Sequence, residues 1–393
     1  MKRVIIIVLD SLGIGALPDA KDYGDEGSHT LRSIAGSQKP FSIPNLLSLG
    51  LGNIDGVEGV AQESNPIGAF GRLFERSKGK DTITGHWEIA GLLTEEPFKT
   101  YPNGFPQEFI SKYEQAIGVS VLGNYTASGT EIIDALGPEH ERTGRPIVYT
   151  SADSVFQIAV NTATIPLEQL YHMCEIAREM LVGPWSCGRV IARPYTIDDE
   201  GKRIRTADRK DYAVSPPAPT MLDLIAESGK TVYGVGKIYD IFNGRGVSHN
   251  VHTDSNAHGI DETIRAMQSP FSGLIFANLV DFDSKFGHRR DAVGYAKALE
   301  AFDVRIPDIL SCMKSDDVLM ICADHGNDPA HAGWDHTREA VPLLVFGQTI
   351  AAGKNLGTRM SFADIAATVL AYLEIDEQTQ IGASFLDDIQ KPV

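Results

Sequence analysis

Residues 318–325 read VLMICADH, an uninterrupted apolar run that ends in an acidic residue and a histidine. Two distant segments repeat this pattern: residues 4–10 read VIIIVLD, and residues 274–288 read LIFANLVDFDSKFGH. Short runs rich in Val, Ile and Leu are typical of strands that are buried on both faces, as in parallel sheets. Such sheets carry their binding sites at the carboxyl ends of the strands. The polar residues that follow the three runs are therefore expected to lie close together.

Strand-like and helix-like segments alternate in the later part of the chain. Strands are predicted at 231–237, 274–280, 318–323 and 341–346, and helices near 295–309 and 361–373. This alternation predicts an α/β fold with a mostly parallel central sheet flanked by helices.

A segment of different texture, residues 98–215, interrupts the alternating pattern. It contains an amphipathic helix at 166–181, and both of its edges are rich in proline or glycine. Turn-rich edges of this kind are typical of domain boundaries. We therefore predict a discontinuous metal-binding catalytic core, residues 1–97 and 216–393, with an inserted α+β cap domain at 98–215 that binds the substrate.

The chain has 393 residues, enough for two domains, and its 35 Lys and Arg against 52 Asp and Glu give a net charge of −17. An acidic protein of this size disfavours nucleic acid and anionic membranes as partners. Its four cysteines show no paired spacing, which is typical of reduced thiols. No apolar run approaches the roughly 18 residues of a membrane span, and the N-terminus lacks a signal-peptide pattern. We expect a cytoplasmic protein that acts on small molecules.

Acidic and imidazole side chains next to the predicted strands are the candidate metal ligands: Asp10, Asp283, His288, Asp324, His325 and His336. Asp10 taken alone is also compatible with a helix N-cap. His331 is compatible with a loop residue or with a residue that supports the metal ligands. Three strand ends of one sheet carry such groups together, however, and carboxylates with imidazoles suit divalent metals. Six ligands are enough for two ions, so the pattern predicts a two-metal hydrolase or transferase.

A transferase also needs a nucleophile, and residues 79–88, GKDTITGHWE, contain two candidates. Thr82 and Thr84 precede a helical apolar pattern, so either is expected at a helix N-terminus, which favours phosphate. A threonine in this place is also a common helix cap. A hydroxyl becomes a competent nucleophile when a metal coordinates it. The spacing alone does not choose between the two threonines.

These segments together resemble those of the bacterial phosphopentomutases, members of the alkaline phosphatase superfamily. The resemblance rests on DSLGIG at 10–15, the segment 79–88, ADHGND at 323–328 and DHTRE at 335–339, and it extends over nearly the whole chain. It implies an alkaline-phosphatase-like core in which Thr82 becomes phosphorylated. It also implies two manganese ions, one held by Asp10, Asp324 and His325 and the other by Asp283, His288 and His336.

The reaction that the resemblance implies is the interconversion of α-D-ribose 1-phosphate and D-ribose 5-phosphate, and of the 2-deoxyribose forms, in nucleoside and pentose phosphate metabolism. It would proceed through the phosphothreonine and a bisphosphate intermediate, with ribose 1,5- or glucose 1,6-bisphosphate as primer. Arginine binds phosphate bidentately. Arg193, Arg209 and Lys237 are therefore candidates for binding the second phosphate, and Ser151 and Asp153 for binding the sugar hydroxyls.

Other interpretations stay open from the sequence alone. A phosphatase or phosphodiesterase of the same superfamily would share the metal ligands but pass phosphate to water. A cofactor-independent phosphoglycerate mutase would share the mutase outcome but resembles a serine-nucleophile pattern. A non-catalytic metal-binding protein would explain the ligands and not the nucleophile segment. The sequence does not specify the metal, the preferred sugar or the oligomeric state.

Overall fold

The computed structural model describes residues 1–151 and 154–391. The chain divides into two compact units, one formed by Met1–Pro97 and Pro216–Val393 and the other by Phe98–Ser215. Each unit contains its own sheet. In the described part of the chain, no helix combines the length and the apolar character needed to cross a bilayer.

Strands and helices have the following bounds. The first unit begins with β1 (Arg3–Leu9), β2 (Ala69–Leu73), α1 (Thr30–Ser37), α2 (Pro44–Leu49) and α3 (Thr82–Ile89). The second unit contains β3 (Leu122–Thr126), β4 (Ile147–Thr150), β5 (Val155–Asn161), β6 (Arg189–Ile197), β7 (Arg203–Arg205) and β8 (Lys210–Ala213), with α4 (Gln107–Ile117), α5 (Gly129–Thr143) and α6 (Leu167–Met180). From Pro216 onward the chain belongs to the first unit again. The strands of this part are β9 (Thr231–Val235), β10 (His249–Val251), β11 (Gly273–Leu279), β12 (Asp317–Cys322), β13 (Val341–Gly347) and β14 (Asn355–Arg359). Its helices are α7 (Met221–Glu227), α8 (Ile238–Ile241), α9 (Asn256–Gln268), α10 (Ala292–Cys312), α11 (Asp364–Tyr372) and α12 (Leu386–Ile389).

The sheet of the first unit has the strand order β10-β9-β11-β1-β12-β13-β2-β14. β1 lies near its centre and pairs in parallel with β11 and β12. Every residue of these three strands is buried, which explains why their sequences are continuously apolar rather than alternating. β13 runs antiparallel to both of its neighbours. The predicted α/β core with a mostly parallel sheet is confirmed.

Parallel pairing brings the carboxyl ends of β11, β1 and β12 side by side. Leu9 pairs with Leu279, and Val8 pairs with Cys322. The chain after β11 continues into a π-helical turn, Phe282–Gly287, a wide turn that is frequent at functional sites. The polar residues after the three strands therefore emerge at one edge of the sheet.

The second unit is built on a mixed sheet with the order β3-β4-β5-β6-β7, in which β8 also pairs with β6. One face packs against α4 and α6 through an aromatic core that includes Phe109, Tyr113 and Phe156. The opposite face packs against α5 through a smaller apolar cluster that includes Ile133 and Tyr149. Helices on both faces of a mixed sheet give this unit an α+β arrangement.

Candidate metal centre and active site

Asp10 follows β1 and Asp324 follows the neighbouring strand β12. Ser11 adopts the left-handed region at φ 71°, which turns the chain sharply, and its N–H donates to Asp324 Oδ1 at 3.0 Å. The amide of Asn278 donates to Asp10 Oδ2 at 2.9 Å. Among the described residues, the remaining oxygens, Asp10 Oδ1 and Asp324 Oδ2, accept no hydrogen bond. Each buried carboxylate therefore keeps one oxygen for another partner.

His325 brings an imidazole to these two oxygens. Its Nε2 lies 3.3 Å from Asp324 Oδ2 and 3.5 Å from Asp10 Oδ1. Its Nδ1 lies 3.1 Å from the carbonyl oxygen of Gly326, and donation there leaves the Nε2 lone pair free. The ligand atoms of Asp10, Asp324 and His325 are close enough together to hold one metal ion.

Asp283, His288 and His336 gather beside this first cluster. Nε2 of His288 lies 3.2 Å from Asp283 Oδ2, and Nε2 of His336 lies 3.4 Å from Asp283 Oδ1. The two Nε2 atoms face each other at 3.0 Å. The tightest group around Asp283 consists of Asp283, His325 and His336. His325 thus belongs to both clusters, whereas His288, more exposed, lies at their rim.

The electrostatics of the clusters fit cations. Burial, together with the neighbouring carboxylates Asp324 and Asp283, raises the pKa of Asp10 to about 7. Burial lowers the pKa of His325, but the charges of Asp324, Asp10 and Asp283 outweigh it and raise the pKa to about 9. Buried carboxylates without a cation or a donor are costly. The unpaired oxygens and converging ring nitrogens form the donor set that divalent metals bind.

Helix α3 brings the candidate nucleophile to the same clusters. Asp81 caps the helix, since its Oδ1 accepts from the N–H groups of Ile83 and Thr84, both at 3.1 Å. The Thr84 hydroxyl donates to Asp81 Oδ2 at 2.6 Å. The Thr82 hydroxyl instead lies 3.3 Å from Nε2 of His325. The two threonines, equivalent in the sequence pattern, are therefore distinct: Thr84 belongs to the cap and Thr82 faces the candidate metal ligands.

Two fully buried residues that the sequence analysis did not single out, His86 and Asn278, support the clusters. His86 Nδ1 lies 2.9 Å from the carbonyl oxygen of Thr82 and 3.1 Å from Asp324 Oδ2. The Asn278 amide, besides donating to Asp10, lies 3.3 Å from His86 Nε2. His86 and Asn278 thus connect the nucleophile segment to the candidate metal ligands Asp324 and Asp10. A polar Asn inside the apolar run of β11 was the available signal, because buried polar groups have specific partners.

Two arginines hold the loops around the clusters. Arg338, 1% exposed, donates to the carbonyl oxygen of Gly79, the first residue of the nucleophile segment, at 2.7 Å. Arg290 donates to Asn327 Oδ1 at 2.6 Å, and the Asn327 amide donates in turn to Asp283 Oδ1 at 2.7 Å. Outer contacts of this kind fix the orientation of the ligands themselves.

Comparison with known proteins identifies the family. A model of the metalloenzyme superfamily matches residues 2–377. A phosphopentomutase of Acetivibrio thermocellus is 56% identical over 389 residues, which cover 99% of this chain and 100% of that protein. A phosphopentomutase of Clostridioides difficile is 52% identical over 390 residues, with 99% and 100% covered. The chain belongs to the phosphopentomutase family.

The similarity to phosphopentomutases extends over the full length of the chain. The chain is therefore an isomerase with phosphopentomutase activity. The metalloenzyme family match and the two ligand clusters make it a metal-dependent enzyme. Among solved structures, a phosphoglycerate mutase of Leishmania mexicana shares the fold, with 12% identity, a TM-score of 0.50, and 98% of this chain and 97% of that chain covered. A protein of the alkaline phosphatase superfamily from Vibrio parahaemolyticus also matches, with 12% identity, a TM-score of 0.45, and 100% and 70% covered.

The sequence predicted five substrate-binding residues, and the structure describes four of them. Lys237 comes after β9 in the first unit, beside a cleft of 260 Å³, and its charge acts to lower the pKa of Asp10. Ser151 comes directly after β4 in the second unit. Asp153 lies outside the described residues.

The two predicted arginines lie on the sheet of the second unit and differ in their contacts. Arg193, in β6, is partly buried and donates through Nε to Gln157 Oε1 at 3.1 Å. Arg209 is exposed, and Asp211 already accepts from its Nε and Nη2 at 2.6 and 2.7 Å. Arg193 therefore has more donors left for a ligand than Arg209.

Proposed function

We propose that the chain interconverts α-D-ribose 1-phosphate and D-ribose 5-phosphate, and the 2-deoxyribose forms, through a phosphorylated Thr82. The observation that carries this proposal is the position of the Thr82 hydroxyl, 3.3 Å from Nε2 of His325. Because His325 belongs to both ligand groups, a phosphoryl group on Thr82 would lie beside both.

Asp10, Asp324 and His325 would hold one ion, and Asp283, His288 and His336 the other. Mn²⁺ suits this set, because it accepts both carboxylate and imidazole donors. Bound divalent ions would neutralise the charge that spreads over the phosphoryl oxygens during transfer. The protein itself orients the ligands, through the Asn278 amide on Asp10 and the Ser11 N–H on Asp324.

In the first half-reaction, phosphothreonine transfers its phosphoryl group to the free hydroxyl of the sugar phosphate. The P–O bond to Thr82 Oγ1 breaks as a P–O bond to the sugar oxygen forms, and the proton of the sugar hydroxyl ends on Oγ1. The resulting bisphosphate then returns its other phosphoryl group to Thr82. A sugar bisphosphate, ribose 1,5- or glucose 1,6-bisphosphate, would supply the first phosphoryl group by the same return step.

The second unit, residues 98–215, would act as a cap that binds the sugar and its second phosphate and excludes water during transfer. Its separate apolar core and its arginines Arg193 and Arg209 support this role. Ser151 and Asp153 are the residues proposed for the sugar hydroxyls, and Lys237 is a further candidate for binding a phosphate. All four cysteines are free thiols, which supports a cytoplasmic location.

Two measurements on the manganese-loaded protein test the proposal. Peptide mapping after incubation with glucose 1,6-bisphosphate should find one phosphoryl group, on Thr82. Turnover of ribose 5-phosphate should yield ribose 1-phosphate with little free phosphate, whereas a phosphatase would release phosphate as fast as substrate disappears. Modification of a residue other than Thr82, or phosphate release as the main reaction, would contradict the proposal.

A further inference from the structure

A loop of the first unit leaves the candidate metal centre at Gly326 and returns to it at Thr337. The Gly326 N–H donates to the Thr337 carbonyl at 3.2 Å, and the Thr337 N–H donates back to the Gly326 carbonyl at 2.9 Å, which closes the loop. The candidate ligands His325 and His336 each precede one of these two residues. The described residues 327–335 form neither helix nor strand. Such a loop depends on side-chain contacts for its shape, because its backbone groups lack the partners of regular structure.

The guanidinium of Arg290 donates to both ends of this loop. Its Nη1 donates to Asn327 Oδ1 at 2.6 Å and to the Asp328 carbonyl at 3.0 Å. Its Nε donates to the Gly333 carbonyl at 2.8 Å, and its Nη2 to the Asp335 carbonyl at 3.0 Å. These bonds occupy four of the five N–H donors of the side chain. A lysine, with three donors on one atom, does not offer this planar set.

Two of the contacts lead to the ligands Asp283 and His288. The amide of Asn327, whose oxygen accepts from Arg290, donates to Asp283 Oδ1 at 2.7 Å. Trp334 lies between the two backbone carbonyls that accept from Nε and Nη2, and its own carbonyl oxygen is 3.3 Å from Nδ1 of His288. Donation from Nδ1 to this carbonyl leaves the Nε2 lone pair of His288 free for a metal.

A third contact leads to His336. Asp335, whose carbonyl accepts from Arg290, directly precedes His336, and Asp335 Oδ1 accepts from the His336 N–H at 2.8 Å. One guanidinium therefore supports all three ligands of one proposed ion.

The ligands of the other proposed ion have separate supports. The Asn278 amide donates to Asp10 Oδ2 at 2.9 Å, and the Ser11 N–H donates to Asp324 Oδ1 at 3.0 Å. Within the described part of the chain, the Arg290 side chain donates only to the loop. Loss of Arg290 would therefore disturb one ligand set and leave the other in place.

The backbone of Arg290 is held in an unusual conformation. Its φ of 55° lies in the left-handed region, which is costly for a residue with a side chain. Its N–H donates to the Gly287 carbonyl at 3.0 Å, at the end of the π-helical turn that carries Asp283. Strained residues of this kind cluster at functional sites, where the surrounding contacts fix them.

The positive charge of Arg290 acts against a cation at this site. Its four acceptors are carbonyl and amide oxygens, so no carboxylate among the described residues accepts a hydrogen bond from the guanidinium. A positive charge one amide away from Asp283 would weaken cation binding by repulsion. What Arg290 contributes to the site is therefore the orientation of its ligands.

We propose that Arg290 is the positioning residue for the metal ion of Asp283, His288 and His336, and that it sets the affinity of this ion alone. The inference rests on the two ligand sets of the proposed function. It goes beyond them, because it makes one ion separable from the other by a substitution outside both ligand sets.

The test titrates metal-free protein with Mn²⁺ in a calorimeter and counts the bound ions by metal analysis. The wild type should bind two ions per chain. Arg290→Gln should bind one ion with wild-type affinity and the other about 10- to 100-fold more weakly, and excess Mn²⁺ should restore much of its kcat. Arg290→Lys should behave like Arg290→Gln, because lysine keeps the charge and loses the planar donors. The matched control, Arg289→Gln at the exposed neighbouring residue, should keep both affinities.

A second variant, Asn327→Ala, leaves Arg290 in place and removes the donor to Asp283 Oδ1. It should weaken the same ion, and the double variant with Arg290→Gln should still bind one ion with wild-type affinity. Asn327→Ala also decides the question if metal-free Arg290→Gln melts well below the metal-free wild type.

Three results would overturn the inference while the wild type binds two ions. The first is wild-type affinity for both ions in Arg290→Gln and Asn327→Ala. The second is tighter Mn²⁺ binding in Arg290→Gln, which would show that charge outweighs orientation. The third is equal weakening of both ions, which would show that Arg290 does not serve one ligand set. A wild type that binds a single ion would instead contradict the two-ion centre of the proposed function, and the inference with it.

Discussion

The two units arrange their charged groups differently. In the first unit, Asp10, Asp324 and His325 are at most 1% exposed, and one oxygen of each carboxylate accepts no hydrogen bond from the described residues. In the second unit, Arg205 and Arg209 are exposed, whereas Tyr149 is buried. Unpaired charge is costly when it is buried and cheap when water reaches it.

This difference distinguishes a resident ligand from a visiting one. The buried carboxylates of the first unit need compensating positive charge throughout the life of the folded protein, as a bound metal would provide. The exposed guanidinium groups of the second unit are stabilised by water and, at Arg209, by the carboxylate of Asp211. The predictions below test this contrast between a metal-dependent centre and a surface that we propose to bind substrate.

The largest effect is expected at the nucleophile. Thr82→Ala should lower the isomerisation of ribose 5-phosphate at least about a thousandfold, because it removes the phosphoryl carrier and leaves the metal ligands in place. The matched control is Thr84→Ala, which removes the hydroxyl that donates to Asp81 and should cost about 1 kcal/mol of stability with most activity kept. A coupled assay measures the isomerisation rate of both variants, and metal analysis checks that both still bind metal. Near wild-type turnover in Thr82→Ala would disprove the covalent mechanism.

Removal of the metal should affect the units unequally. Ions present at 100 to 1,000 times their Kd stabilise the folded state by about 3–4 kcal/mol, and exhaustive chelation would remove that stabilisation together with activity. Hydrogen exchange should then speed up in β1 and β12, which carry the ligands, and stay unchanged in β5 of the second unit. Full activity and an unchanged melting temperature after chelation would refute the metal centre.

The sequence predicted the first unit better than the second for a physical reason. β1, β11 and β12 are buried on both faces, so their sequences carry a strong apolar signal, and parallel pairing fixes where each strand end lies. β2 and β14 were not predicted, since β2 contains Gly71 and Arg72 and β14 is a polar strand at the sheet edge. The strands of the second unit are interrupted by turn-rich segments and gave a weaker signal.

Two features of the candidate site depend on side-chain geometry, which the spacing of residues along the sequence does not reveal. Thr82 and Thr84 differ only because Asp81 accepts a hydrogen bond from the Thr84 hydroxyl. His325 joins both ligand groups because Asp283 and His336 approach it in the folded sheet. Neither fact follows from the order of residues along the chain.

Substitution of His86 tests the support behind the metal ligands. His86→Phe keeps a ring beside Phe276 but loses the contacts to the Thr82 carbonyl and to Asn278. Residues that orient ligands typically contribute about 10- to 100-fold to activity, so kcat should fall by that factor with little change in KM. His86→Asn, which can place an amide N–H near the position of Nδ1, should recover part of the loss. An equal rise in KM would instead indicate a role in substrate binding.

A smaller effect is expected from Gly85, where α3 approaches the end of β12. An alanine Cβ would lie 2.1 Å from the carbonyl oxygen of Asp324, so Gly85→Ala must displace the helix or the ligand segment. We expect a loss of about 1–3 kcal/mol in the free energy of unfolding, together with reduced activity. Gly36→Ala is the matched control, a helical glycine with nothing within 4 Å of its Cβ position, and it should be neutral or slightly stabilising. Equal stability of the two variants, measured by urea unfolding, would contradict the close approach.

The smallest effect is expected in the second unit and depends on pH. His140 is fully buried, with Nδ1 donating to the Arg145 carbonyl at 2.7 Å and Nε2 accepting from the Asn161 N–H at 2.9 Å, so the ring is neutral. Burial lowers its pKa below the ordinary value of 6.5. The stabilisation is therefore fully present above the pKa of the unfolded chain and is lost as the pH falls through the folded pKa. His140→Gln, which can keep an acceptor for Asn161, should cost about 1 kcal/mol at pH 7.5. Because glutamine does not titrate, the gap in urea midpoint between wild type and variant should narrow by pH 5, and a constant gap would show that His140 does not titrate on unfolding.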